Sequence, residues 1–204
     1  MRNFKSVVVL CVLAAGCASP TPAADGPDPR VKAGERLSDE ALQARWWTWA
    51  ASSADDVNPV VDVTGLHCGI DQRDDLWLVA GTFGRVVGRE CEVPLGLPIA
   101  GPAVNKFVAE RMDCALFMQG AAGSVVLDGV PQELIRIEAT PFSFTGKAGN
   151  VVTGEARGVR VTGCGLWTWI EPPTAGDHTL VIKGSSGTFR TEAHYRLKVR
   201  AAGD

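Results

Sequence analysis

The clearest periodicity lies at the end of the chain. Phe189, Thr191, Ala193, Tyr195, Leu197 and Val199 interleave with Arg190, Glu192, His194, Arg196, Lys198 and Arg200. Successive side chains on a strand point to opposite faces, so this segment predicts a half-buried strand with a charged outer face. With "HTLVIKG" before it and "SSG" as its turn, it predicts a terminal hairpin in which Ile182 lies opposite Phe189 and Leu180 opposite Thr191. Upstream, "LWLVAGTF" (76–83) is apolar almost throughout and predicts a central strand buried on both faces, with "VVGRECEVP" (86–94) as its hairpin partner. "SVVLDGV", "LIRIEA" and "FSF" predict short strands and "VRVTGCGLWTWIE" a longer one. One segment has helical period instead. Ser38 is an N-cap, Asp39 and Glu40 suit the first turn, and Leu37 and Leu42 sit at staple spacing. Leu42, Trp46, Trp49 and Ala50 share a face, while Trp47 points elsewhere, which offers either core docking or a partner contact. Many short strands with turns between them predict a mainly β fold, an antiparallel β-sandwich or jelly-roll-like domain over 56–204. One N-terminal helix, within 35–55, packs on it.

The first residues follow a different pattern. Residues 1–6 carry Arg2 and Lys5 and no acid, and residues 7–15 are uncharged and apolar. A spanning helix needs about 20 apolar residues, so this run fits the core of a secretory leader. Ala14-Ala15-Gly16 directly precedes Cys17 and resembles a bacterial lipobox, although Ala14 stands where that pattern prefers Leu. The reading is a signal peptide over 1–16, lipidation at Cys17, and a Pro-rich tether over 17–34. The membrane is then a partner through the N-terminal lipid, at the outer membrane if the host has one. A plain secreted protein is the alternative.

Removing the leader takes two of the 20 basic residues and leaves all 23 acidic ones, a net charge near −5. The sequence shows no basic patch, which argues against nucleic acid or anionic lipid as the main partner. Cys68, Cys91, Cys114 and Cys164 remain after Cys11 and Cys17 are assigned, an even number that reads as two disulfides in an oxidising compartment. Pairing nearest neighbours gives Cys68–Cys91 and Cys114–Cys164, expected to contribute about 3 and 4 kcal/mol by loop entropy. A zinc site using His67, Cys68 and Cys91 competes weakly, because no C-x-x-C occurs; no metal and no cofactor are expected.

Candidate chemistry is sparse. G-x-S-x-G is absent, His194 lies on a charged strand face, and His178 reads as a satisfied structural histidine. Asp71, Asp74 and Asp75 read as a solvated loop rather than a calcium site. In "LWTWIEPP", Trp167, Trp169 and Glu171 share one strand face, a candidate sugar platform or half of a glycosidase acid pair with Glu138 or Glu155. Val159 and Val161 share that parity, which favours core, although a bulge at Gly163-Cys164-Gly165 would flip the register.

The order W-x-W (Trp47 and Trp49), N-P (Asn58-Pro59), D-x-T-G-x-x-C (62–68), W-x-x-A-G (77–81), R-x-C-x-V-P-x-G (89–96) and G-x-H-T (176–179) resembles a family of uncharacterised secreted bacterial proteins. "VPLGLPIAGPAVN" departs from that family's longer apolar segment. The resemblance covers about residues 45–199; it implies an exported β domain and no activity. The combined expectation is a lipid-anchored cell-envelope protein whose β domain is a non-catalytic binding or structural module, with an envelope glycan or protein as partner. The alternative is a carbohydrate-active or glycan-binding protein using Trp167, Trp169 and Glu171.

Overall fold

The computed structural model describes residues 30–32 and 35–201, so the expected leader, Cys17 and most of the tether lie outside the described residues. In chain order the elements are α1 (Asp39–Ala50), a 3-10 turn (Asp55–Val57), β1 (Trp77–Leu78), β2 (Val86–Pro94), β3 (Ile99–Val108) and α2 (Arg111–Gln119). They continue with β4 (Ala122–Leu127), β5 (Val130–Pro131), β6 (Ile135–Thr145), β7 (Gly158–Ile170), β8 (Gly176–Ser186) and β9 (Phe189–Arg200). One sheet has the order β1-β3-β7-β6 and the other β2-β9-β8-β4-β5. The molecule is a mainly β two-sheet sandwich with α1 laid on the outer face of the first sheet. Two pairs depart from the antiparallel expectation: β1 runs parallel to β3, and β2 runs parallel to β9.

Helix α1 starts as its sequence dictates. Ser38 Oγ accepts from the Ala41 N–H at 3.2 Å, and Asp39 and Glu40 occupy the first turn. The Asn58 side chain donates to the Ala50 and Ser53 carbonyls beyond its C-terminal end, and its own carbonyl accepts from the Val60 N–H. Leu42, Trp46, Trp49 and Ala50 are buried, as the helical period requires, but Trp47 is buried too, at 6% exposure. Its ring lies edge-on to Phe107 at 4.7 Å, so it docks the helix and offers no contact to a partner.

Two buried clusters follow from the alternation along β7. Cys164, Leu166 and Ile170 face the second sheet, whereas Trp167 faces α1 with Val159, Val161 and Trp169 packed around that cluster. The Gly163-Cys164-Gly165 stretch does not bulge. The irregularities fall instead in the partner strands, between Pro102 and Val104 of β3 and between Ile137 and Thr140 of β6. Facing that β3 bulge, a Cβ at Gly184 would clash with the Ala103 carbonyl, so glycine there sets how closely β8 approaches β3.

Several sequence expectations change. Only Trp77 and Leu78 of the apolar run 76–83 form a ladder; beyond them the backbone is satisfied largely by side chains, with the Ala80 N–H donating to Tyr195 Oη and the Thr82 N–H to Thr191 Oγ1. β2 therefore has no hairpin partner upstream among the described residues and pairs with β9. The terminal hairpin exists, but Ile182 faces Ala193 and Leu180 faces Tyr195, because β8 continues through Ser185 and Ser186 into a tighter turn. The slip is four residues, and an even slip leaves both faces unchanged. β3 and α2 have no counterpart in the sequence reading.

Candidate functional site

The proposed tryptophan platform dissolves into core. Trp167 is fully buried, 5.8 Å from Trp46 in an edge-on contact. Trp169 is half-buried against the same cluster, and Glu171 is exposed just past the end of β7. The two indoles have no shared open face. The acid pair fails on placement as well, because a glycosidase needs its two carboxylates to flank a single bond. Ile137 pairs with Gly165 in the middle of β7, so Glu138 lies several residues down the sheet from Glu171. Glu155 precedes the opposite end of β7, and the whole 13-residue strand separates it from Glu171. Glu138 instead pairs with Arg136 and Glu155 with Arg157.

Three of the motifs singled out in the sequence, Asp62 to Cys68, Trp77 to Gly81 and Arg89 to Gly96, converge elsewhere, on a buried knot around Arg89. This guanidinium is 3% exposed, and its hydrogen-bond partners are carbonyls and one phenol. It donates to the carbonyls of Val60 (2.8 Å), Asp62 (2.8 Å), Ala80 (2.8 Å) and Gly81 (3.1 Å) and to Tyr195 Oη, and it lies over the Tyr195 ring. Asp62 orders the adjoining loop by accepting from the Thr64 and His67 N–H groups, both at 2.8 Å. Its pKa is lowered: burial opposes ionisation, and these hydrogen bonds outweigh it. Gly65 has φ +94°, and a Cβ there would strike the Glu90 backbone. Cys68 then bridges to Cys91, with Cα atoms 5.8 Å apart. The knot is structural. It ties the 58–68 loop, the 77–81 segment, β2 and β9 together.

The second bridge, Cys114–Cys164, fastens α2 to the middle of β7 with Cα atoms 5.9 Å apart. Both pairings match the nearest-neighbour expectation. His178 is held at both nitrogens, by the Asp128 carboxylate at 2.7 Å and the Thr174 carbonyl at 2.9 Å. Both partners only accept, so this geometry suits the imidazolium; the Asp128 hydrogen bond, working against burial, raises the His178 pKa. His194 is exposed on the outer face of β9 and pairs with Glu192. His67 contributes its backbone N–H to the Asp62 loop.

A concavity of about 850 Å³ opens where the C-terminal half of α1 meets the 71–73 loop and the β6–β7 hairpin. Trp49, Leu78, Phe144 and Val159 supply apolar wall. Arg45, Arg73, Lys147 and Arg160 line it as well, against one lining acid, Asp71. Arg45, 8% exposed, grips Asp75 with both terminal nitrogens, and Asp75 also accepts from the Val31 N–H at 2.9 Å. Burial alone would raise the Asp75 pKa, but these bonds and the Arg45 and Arg73 charges bring it down to about 2. Lys147 pairs with Asp71 at 2.9 Å, and Lys147 and Ser52 hold the Asp71 carboxyl below its ordinary range against the effect of burial. The loop bearing Lys147 is shaped by Asn150, whose amide donates to Lys147, Thr153 and Glu155 oxygens. Asp71 and Asp75 thus serve as ion-pair partners, and among the described residues no group of three His, Cys, Asp or Glu side chains could hold a metal ion. The sequence reading missed this groove because its charges come from four separated segments. No family model, curated protein or solved structure matches the chain.

Proposed function

We propose that this chain is an exported, lipid-anchored binding module of the cell envelope, non-catalytic, with the groove beside α1 as its binding surface. The observation that carries the reading is the groove itself: a concavity of ligand-site size, mostly apolar, with a few charged groups at its wall. The two disulfides fit an oxidising, non-cytoplasmic compartment. No helix among the described residues is long and apolar enough to cross a membrane. In this reading the attachment is the lipid on Cys17, which the lipobox-like Ala14-Ala15-Gly16-Cys17 supports. The chain enters the described fold at Val31, hydrogen-bonded to Asp75 beside the groove. Arg30 lies thirteen residues beyond Cys17, a reach of about 45 Å at most when extended, which keeps the groove near the bilayer. Changing Cys17 to Ser should release the protein from the membrane fraction or leave it unprocessed. Unchanged fractionation together with unchanged gel mobility would remove the anchor from this account.

A further inference from the structure

We infer that the groove binds an amphipathic anion, an aliphatic body carrying a phosphate or carboxylate head. This rests on the groove being the binding surface.

The charge at this place is opposite in sign to that of the protein. The whole chain is net −3, yet four cations and one acid line the groove. Neutralising four lysines and arginines by their neighbours would leave nothing to recognise, but the pairing is incomplete. Arg160 is exposed and has no carboxylate partner among the described residues. Arg45 is more telling. Its two terminal nitrogens are used by Asp75, but its buried Nε–H has no acceptor among the described residues. A buried donor left unmade costs about 1–3 kcal/mol, more for a charged group, and a small shift of the Arg45 side chain towards the groove would let the oxygen of a ligand head satisfy it. Arginine is also the side chain whose donors best match phosphate and carboxylate oxygens.

The remaining wall determines what must follow the head. It is built from Trp49, Leu78, Phe144, Val159 and the aliphatic stems of Arg160 and Lys147. Trp49 already spends its indole N–H on the Ile70 carbonyl, so the ring offers no donor. A bare inorganic anion would leave this surface wet, and a neutral chain would leave Arg160 unanswered. Only a ligand with both parts uses the whole groove. No stretch of the chain reads as a basic patch, since these cations become neighbours only in the fold.

The test uses the full chain with disulfides formed and Cys17→Ser in place, so that no attached lipid competes. Dodecyl phosphate and dodecanoate, below their micellar concentrations, are titrated against Trp fluorescence and calorimetry, with inorganic phosphate and neutral dodecyl maltoside as separate arms. Both anionic amphiphiles should bind at least about 10-fold more tightly than either control, the factor expected for one charge-assisted contact. Arg160→Glu should weaken binding about 10-fold or more without moving the melting temperature, and added salt should weaken it as well. Asp71→Asn, which keeps a residue tolerant of the φ of +51° at that position, should strengthen binding about 3-fold by removing the one lining acid. Sedimentation with phosphatidylglycerol against phosphatidylcholine vesicles distinguishes a head drawn from a bilayer from a free ligand. Equal binding of dodecyl maltoside would overturn the anionic part, and equal binding of inorganic phosphate the apolar part. Absence of saturable binding by either amphiphile would overturn the inference entirely, whatever the outcome for Cys17.

Discussion

Replacing Arg89 by Ala should be among the most damaging single changes in this fold. The guanidinium donates to four backbone carbonyls and to Tyr195 Oη, and it is 3% exposed. Ala80 keeps a second donor, because Tyr195 Oη also bonds its carbonyl. The carbonyls of Val60, Asp62 and Gly81 lose theirs. Three neutral acceptors stranded at about 1 kcal/mol each give a loss of about 3 kcal/mol, and a cavity where the side chain stood brings it to about 4–5 kcal/mol. The relief of no longer burying an unpaired cation works in the opposite direction, so the lower figure is the expected one. Arg89→Lys should fall between, since an ammonium has three donors and no planar fork. Urea melts with disulfides intact measure the change. The chain has a single tyrosine, so the ring signals of Tyr195 report the knot without ambiguity. A loss below about 1 kcal/mol for Arg89→Ala, with unchanged Tyr195 signals, would refute the claim that this cation organises the loop.

Trp167→Ala should cost about 3–5 kcal/mol by lost burial and a residual cavity, whereas Trp169→Ala should cost less, in urea melts. Acid should weaken the fold through Asp75. Its pKa of about 2 lies below the ordinary 3.8, so its contribution is intact above the ordinary value and is lost as pH falls from there towards the folded one. Asp75→Asn should lower stability at neutral pH and abolish that acid limb in melts recorded across pH. His178 acts in the opposite sense: its raised pKa gives stability that is full below 6.5 and lost as pH rises through the folded value. His178→Gln should flatten that alkaline limb in the same pH-dependent melts.

What the sequence disclosed was facial, and what it concealed was partnership. Val159 and Val161 share the parity of Trp167, and that parity alone places the indole in core, as found. The N-cap at Ser38 was readable because its bond spans three residues, and the cysteine pairs, 23 and 50 residues apart, because each cysteine joins its nearest neighbour along the chain. β2 was readable as a strand to the residue, yet alternation says nothing about which strand it joins, and its partner lies about a hundred residues on. Strand β3 was hidden by Pro102 and the bulge at Ala103, which break the period of two. The run is buried from Leu76 to Thr82, as its composition implies, while Phe83 is exposed; it is not a ladder, because side chains of Arg89, Thr191 and Tyr195 take the place of a neighbouring strand. The groove needed all of these pairings at once. Asp71, Arg45, Lys147 and Arg160 become neighbours only when α1 and the β6–β7 hairpin have met.

The parallel union of β2 with β9 also sets a timetable. β9 is hydrogen-bonded to β2 on one side and β8 on the other, and it is the last element among the described residues. The second sheet therefore stays incomplete until residues 189–200 have emerged, and the Arg89 knot lacks Tyr195 until then. Such long-range closure is slow, because loop entropy must be overcome before the contacts reward it. Cys68 and Cys91, and then Cys114 and Cys164, all precede β9 in the chain. In an oxidising compartment both bridges can therefore form while the second sheet is still open. β9 follows all four of those cysteines, as the strand that joins β2 to β8.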